Sequence, residues 1–297
     1  MSRKRQAAKA VLSRQPKSPE KALKEALKAK TAFGQSKYAD KVSGVDTAGK
    51  IYSYSTYENY CKEGLRFVRW CQDNTQARTL EEMRDHRAAY IQDNLDRGLS
   101  PATIKKRVAA LNKVYGDKIE GLQVSERARA GITRSRLDNT NSANFSEAKN
   151  KPLVEFCRAT GLRRHELAAL KPEQVRMVDG RLHVCDVHGK GGRVRDVPVA
   201  RGGEEAVLRA VYNCREGERV FASIPKHADI HGYRAEYCAA IYKEHERDIT
   251  TLPRSEVYCC RGDQAGVWFD KQAMLAASEA LGHSRIDVIA GHYLYRL

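Results

Sequence analysis

Residues 161–198 read GLRRHELAALKPEQVRMVDGRLHVCDVHGKGGRVRDVP. The pattern changes period inside this stretch. Gly161 suits the end of a helix, and Arg163–Leu170 predicts a new one. QVRMV and RLHVCDV then flank Asp179-Gly180, a strong hairpin signal. Gly189-Lys190-Gly191-Gly192 makes a second turn before RVRDVPVA. Three short antiparallel strands are therefore expected among helices. The fold class is mainly α with a small antiparallel β-sheet (α+β).

Upstream of this stretch, a helix is expected around Glu147–Ala159. After Gly202 the chain returns to helices around Glu204–Tyr212, Asp229–His245 and Lys271–Ala280. Residues 52–116 form a helical region of their own. Tyr57, Cys61, Leu65 and Val68 share one face, widened by Tyr60, Phe67 and Cys71. Thr79-Leu-Glu-Glu82 has the form of a capping box. Ser100-Pro101 opens a helix carrying Ile104, Val108, Leu111 and Tyr115. The other face of that helix presents Lys105, Lys106, Arg107 and Lys113. Ser18 and Pro19 start a further helix inside a basic arm. Residues rich in charge, Ser and Asn then mark a linker. The expected organisation is an arm over 1–45, a helical domain over 46–118, a linker over 119–145 and a second lobe over 146–297.

The net charge of +16 narrows the partners. Residues 1–50 hold 13 Lys/Arg against 4 Asp/Glu, so the excess is concentrated at one end. Such a charge attracts polyanions by releasing their counterions, which favours nucleic acid and leaves a membrane surface, or a solvated basic tail with no specific partner, as the alternatives. No run of about 18 apolar residues is present, which excludes a transmembrane helix. The basic N-terminus lacks the apolar core of a signal peptide, so the expected location is the cytoplasm. The eight cysteines have no C-x-x-C spacing, and His183, Cys185 and His188 fall in a strand and turn. No metal site and no cofactor are expected.

The chemistry-bearing residues follow a particular order: Arg163, Lys190, His231 with Arg234, His283 and Tyr293. Gly161-Leu-Arg-Arg-His-Glu-Leu167 resembles the GLRxxEL segment of the tyrosine recombinases, the phage integrase family. Gly189-Lys-Gly-Gly-Arg-Val-Arg-Asp-Val-Pro198 is similar to the family's GKGxKxRxVP hairpin. His231-Gly-Tyr-Arg234 is similar to its HxxR and Leu281-Gly-His283 to its LGH. Tyr293 stands where the family places its nucleophile. The interval from His283 to Tyr293 is one residue longer than usual in the family, and Tyr295 is a competing phenol.

The resemblance implies a site-specific DNA recombinase or integrase, serving a phage or mobile element, that works through a covalent 3′-phosphotyrosyl intermediate without metal or ATP. Residues 46–118 would be the core DNA-binding domain, with Lys105, Lys106, Arg107 and Lys113 on DNA, and 146–297 the catalytic domain. The arm would be either disordered or DNA-contacting. The implied assembly is a homotetramer on two double-stranded DNA sites, with accessory DNA-bending proteins as further partners and no membrane. Only four residues follow Tyr293, which leaves the docking of protomers open.

The residue types suit that chemistry. Two guanidiniums donate forked, charge-assisted hydrogen bonds to the non-bridging oxygens of a phosphodiester. His283 adds a third donor, and His231 is the candidate for proton transfer at the phenol. Lys190, in its turn, is the candidate acid for the departing 5′ oxygen, while Glu166 reads as support for a neighbouring cation. A catalytically inactive DNA-binding relative and a type IB topoisomerase-like relaxase stay open as alternatives.

Overall fold

Serines start the long helices of the N-terminal half. In the computed structural model, which describes residues 17–126, 144–189 and 193–294, the Ser18, Ser53 and Ser100 hydroxyls each accept a backbone N–H three residues on. They cap α1 (Pro19–Lys28), α3 (Tyr54–Asn74) and α5 (Pro101–Tyr115). Proline occupies the first turn of α1 and α5, where its missing N–H costs nothing. The chain divides into two units, residues 1–127 and 128–297.

In the first unit α2 (Lys37–Val42) and α4 (Arg87–Asp96) complete the helices. Leu23 and Leu27 of α1 are fully buried with Phe67, Val68, Ile91, Ile104 and Leu111. Residues 19–28 are thus part of a core, and the disordered reading of the arm does not hold for them. The contact is close because α3 carries Gly64, where a Cβ would lie 2.6 Å from Leu23 Cδ1. That approach rotates the buried stripe of α3 onto Glu63, Gly64, Phe67, Val68 and Cys71. Leu65, expected on the buried face, is only partly buried. The Thr79–Glu82 box forms in both directions, at 3.2 and 3.3 Å, but it opens a 3₁₀ turn over Glu82–His86 that leads into α4.

The second unit opens with α6 (Lys151–Thr160) and α7 (Arg164–Ala169). Strands β1 (Val175–Val178), β2 (Arg181–His188) and β3 (Val194–Pro198) follow as an antiparallel sheet in that order. Asp179 and Gly180 have φ of 48° and 75°, the two positive values a tight hairpin turn needs. The β2–β3 register slips between Val184 and Val187, where the Asp186 N–H donates to the Asp196 carboxylate at 2.9 Å. The helices α8 (Glu204–Val211), α9 (Ile230–His245), α10 (Lys271–Ala280) and α11 (Asp287–His292) complete the unit.

Between α9 and α10 lies a second, two-stranded antiparallel sheet, β4 (Val257–Cys259) with β5 (Trp268–Asp270). It was not expected, because three-residue strands are too short to show an alternation. Helix α9 is the axis of the core. Tyr233, Arg234, Ala235, Tyr237, Cys238, Ile241 and Tyr242 are all buried, so the helix has no single apolar side and packs against both α6 and α10. The architecture is mainly α with small antiparallel sheets. Among the described residues no helix is long and apolar enough to cross a membrane.

Candidate active site

Gly161 closes α6 in the left-handed region, at φ 59°. A Cβ there would fall 2.2 Å from the Tyr237 ring, so the turn requires glycine on two counts. The turn delivers Arg163 to the N-cap of α7. Its backbone N–H donates to Glu166 Oε2 at 2.7 Å and its Nη1 to Glu166 Oε1 at 2.8 Å. Arg195, from β3, adds a parallel fork to the same carboxylate, at 3.0 Å on each oxygen. Burial opposes ionisation of Glu166, but the Arg195 fork and the Arg163 contacts outweigh it and hold the carboxyl down at about 2. The expected support role of Glu166 is what the contacts show.

Arg234, on α9, is buried, and burial pushes its guanidinium below the ordinary arginine value. It is anchored on main chain: Nη1 donates to the Gly161 carbonyl and Nη2 to the Leu281 carbonyl. Arg163 Nη2 reaches that same Leu281 carbonyl at 3.3 Å, and Arg195 Nε reaches the Ala280 carbonyl at 3.2 Å. The C-terminal end of α10 therefore gathers three arginines. Helix ends leave carbonyls unpaired and carry partial negative charge, so cations are suited to them. Gly282 makes the gathering sterically feasible, since a Cβ at this residue (φ 67°) would meet Arg195 Cδ at 2.8 Å.

Tyr293 follows directly on α11 and is buried. Its Oη lies 3.4 Å from Arg234 Nε and 3.3 Å from His283 Nε2. The His231 ring stacks on the phenol ring, with centroids 5.2 Å apart and planes at 28°. His231 occupies the first turn of α9, where the N-cap Asp229 accepts the Gly232 N–H at 3.0 Å. Burial, and then Arg234, Arg163 and Arg195, push His283 down to about 4, so its imidazole is neutral near pH 7. A cavity of about 360 Å³ opens onto Arg163, Arg164, Asp229, His231, Arg234 and Tyr293.

Five residues singled out in the sequence, Arg163, His231, Arg234, His283 and Tyr293, thus meet in one place. Lys190 and Tyr295 lie outside the described residues. Both histidines meet the phenol. His283 holds a ring nitrogen at hydrogen-bonding distance of the phenol, whereas His231 meets the face of its ring. Sequence reasoning passed over Arg195, although it stands inside the quoted hairpin. It also passed over Arg164, whose guanidinium donates to the carbonyls of Ile224, Pro225, Lys226 and Ala228 at 2.8–3.4 Å. That clamp fixes the segment leading into α9.

The α5 cations are placed unequally. Lys105 and Lys106 are exposed, and Lys106 also pairs with the buried Glu63 at 2.7 Å. Arg107 turns inward to Glu63 and Asn94, and Lys113 donates to the Ala48 and Lys50 carbonyls. The last two act first as ties between segments of their own unit. Among the described residues no three His, Cys, Asp or Glu side chains are gathered as for a metal ion, and the eight cysteines are unpaired.

Residues 134–245 match the model of the phage integrase family. Tyrosine recombinase XerC of Bacillus pumilus (strain SAFR-032) is 25% identical over 180 residues, a match spanning 54% of this chain and 57% of that relative. Among solved structures, the XerH site-specific recombinase bound to difH substrate in a pre-cleavage complex superposes with a TM-score of 0.54. Identity there is 16%, over 93% of each chain. The post-cleavage complex of XerH on palindromic difH gives 0.54 at 14% identity, over 93% of this chain and 90% of that one. At these identities the structural likeness is one of fold.

Proposed function

We propose, from the match of residues 134–245 to the phage integrase family model and the site described above, that this chain is a member of that family and a site-specific recombinase that breaks and rejoins double-stranded DNA through Tyr293. The observation that carries the reading is the seat of the phenol, with its oxygen 3.4 Å from a buried arginine and 3.3 Å from a neutral histidine. A phosphodiester entering the cavity is held by Arg163 and Arg234, whose positive charge matches the negative charge that grows on its non-bridging oxygens in the transition state. The Tyr293 oxygen attacks phosphorus, the bond to the 5′ oxygen breaks, and a 3′-phosphotyrosyl ester forms. Its bond energy is retained, so attack by a 5′ hydroxyl reseals DNA without ATP.

The phenolic proton passes to His283. Burial and then the arginines depress that imidazole, and a bound phosphodiester anion offsets the arginines and raises its basicity when the proton must move. Lys190 remains the proposed donor to the departing 5′ oxygen. His231 holds the phenol ring by stacking. Phenol, arginines and histidines come from one chain, so cleavage occurs in cis. Partners on this reading are two DNA sites bridged by a homotetramer, with DNA-bending accessory proteins.

The test is capture. The protein is incubated with fragmented DNA of its source, denatured, and the covalently attached DNA sequenced. Tyr293→Phe should bind DNA as the native protein does and yield no covalent adduct. An adduct persisting in that variant would move the nucleophile to Tyr295. Supercoil relaxation without joining of two sites would favour a relaxase.

A further inference from the structure

Arg195 is not among the described residues lining the cavity; its guanidinium is directed onto Glu166. Three charged groups share this corner. The Glu166 side chain is fully buried, while those of Arg163 and Arg195 are 23% and 11% exposed. Arg195 gives the carboxylate a two-point fork, whereas Arg163 gives it a single side-chain N–H. The three together carry one net positive charge. A buried carboxylate deprived of one partner closes on whichever cation remains, because leaving it uncompensated is costly. Without Arg195 that cation is Arg163, and the pair becomes neutral.

We propose that Arg195 is a positioning residue: it satisfies Glu166, and so leaves the charge and outer N–H groups of Arg163 directed at a bound phosphate. This rests on the recombinase reading for its purpose, but its physical content is the anion affinity of the cavity. A simpler role, fastening β3 to the Ala280 carbonyl, would make any loss of Arg195 harmful whatever stands at 166. The charge role makes a different demand. Removing the carboxylate together with Arg195 restores the net positive charge, so the double change should repair the single one.

The experiment compares native protein, Arg195→Gln, Glu166→Gln/Arg195→Gln and Arg195→Lys, with thermal melting to confirm folding. The first readout is inorganic phosphate affinity by calorimetry, with Arg163→Ala identifying the share bound in the cavity. Arg195→Gln should weaken that share about tenfold, the effect of one lost charge-assisted contact. The double variant and Arg195→Lys should return to within about threefold of native. The second readout is the rate of covalent adduct formation on the captured duplex, expected to follow the same order. Arg195→Gln within about twofold of native, or a double variant as weak as the single, overturns the proposal. A native protein giving no Tyr293-dependent adduct, with the phosphate series intact, removes the recombinase reading and leaves the role of Arg195 standing.

Discussion

At the scale of single residues, the site's acid sensitivity should centre on His283. Its folded value is about 4, against 6.5 for the unperturbed imidazole. Between those values the unfolded chain binds a proton that the folded chain refuses. Stability should therefore fall as pH drops from 6.5 towards 4, by at most about 1.4 kcal/mol per pH unit from this group. Glu166 acts in a lower window: with its folded value depressed to about 2, its contribution is lost only as pH falls below about 4.5. Urea titrations at pH 6.5 and 4.5 should show a slope in the native protein that His283→Asn flattens. Equal slopes in both would mean that the imidazole is not shielded as described. The order of five residues could be read along the chain. The placement of the two histidines about the phenol could not, because it depends on how the Tyr293 ring sits between His283, 10 residues away, and His231, 62 residues away.

At the scale of elements, the Gly161 turn couples helix termination to the site. Gly161→Ala combines a positive φ with a Cβ 2.2 Å from Tyr237, and it also displaces the carbonyl that holds Arg234. A loss on the order of 2–4 kcal/mol is expected in chemical denaturation. A loss under about 0.5 kcal/mol would show that the turn relaxes freely. Elements with a strong local signal were legible: the Asp179-Gly180 hairpin, and helices opening at Ser18-Pro19 and Ser100-Pro101. Those governed by distant contacts were not. β4 and β5 are too short for a periodic pattern, and the buried stripe of α3 turns towards Gly64, which contributes no apolar side chain to a pattern. Arg195 and Arg164 were hidden for the same reason, since their partners lie 29 to 85 residues away in sequence.

At the scale of the whole molecule, the recombinase reading and a net charge of +16 together predict a DNA affinity strongly dependent on salt. If six or more phosphates are neutralised, affinity should fall about 10³-fold or more between roughly 50 and 200 mM salt. A binding isotherm series over that range measures it, and a flat series would mean that the charge excess is not directed at DNA. Tyr293→Phe should show the same salt slope as the native protein, because the phenol carries no charge to a phosphate.

The anchoring of three arginines on the Ala280 and Leu281 carbonyls has an evolutionary consequence. Main-chain oxygens are supplied by any amino acid, so the guanidiniums do not read the side chains at 280 and 281. Selection on those side chains acts through core packing, where both are buried, and not through the arginines. Insertions and deletions are another matter. One residue added between Ser278 and Gly282 would shift every acceptor at once, so the length of this segment should be under stricter selection than its composition.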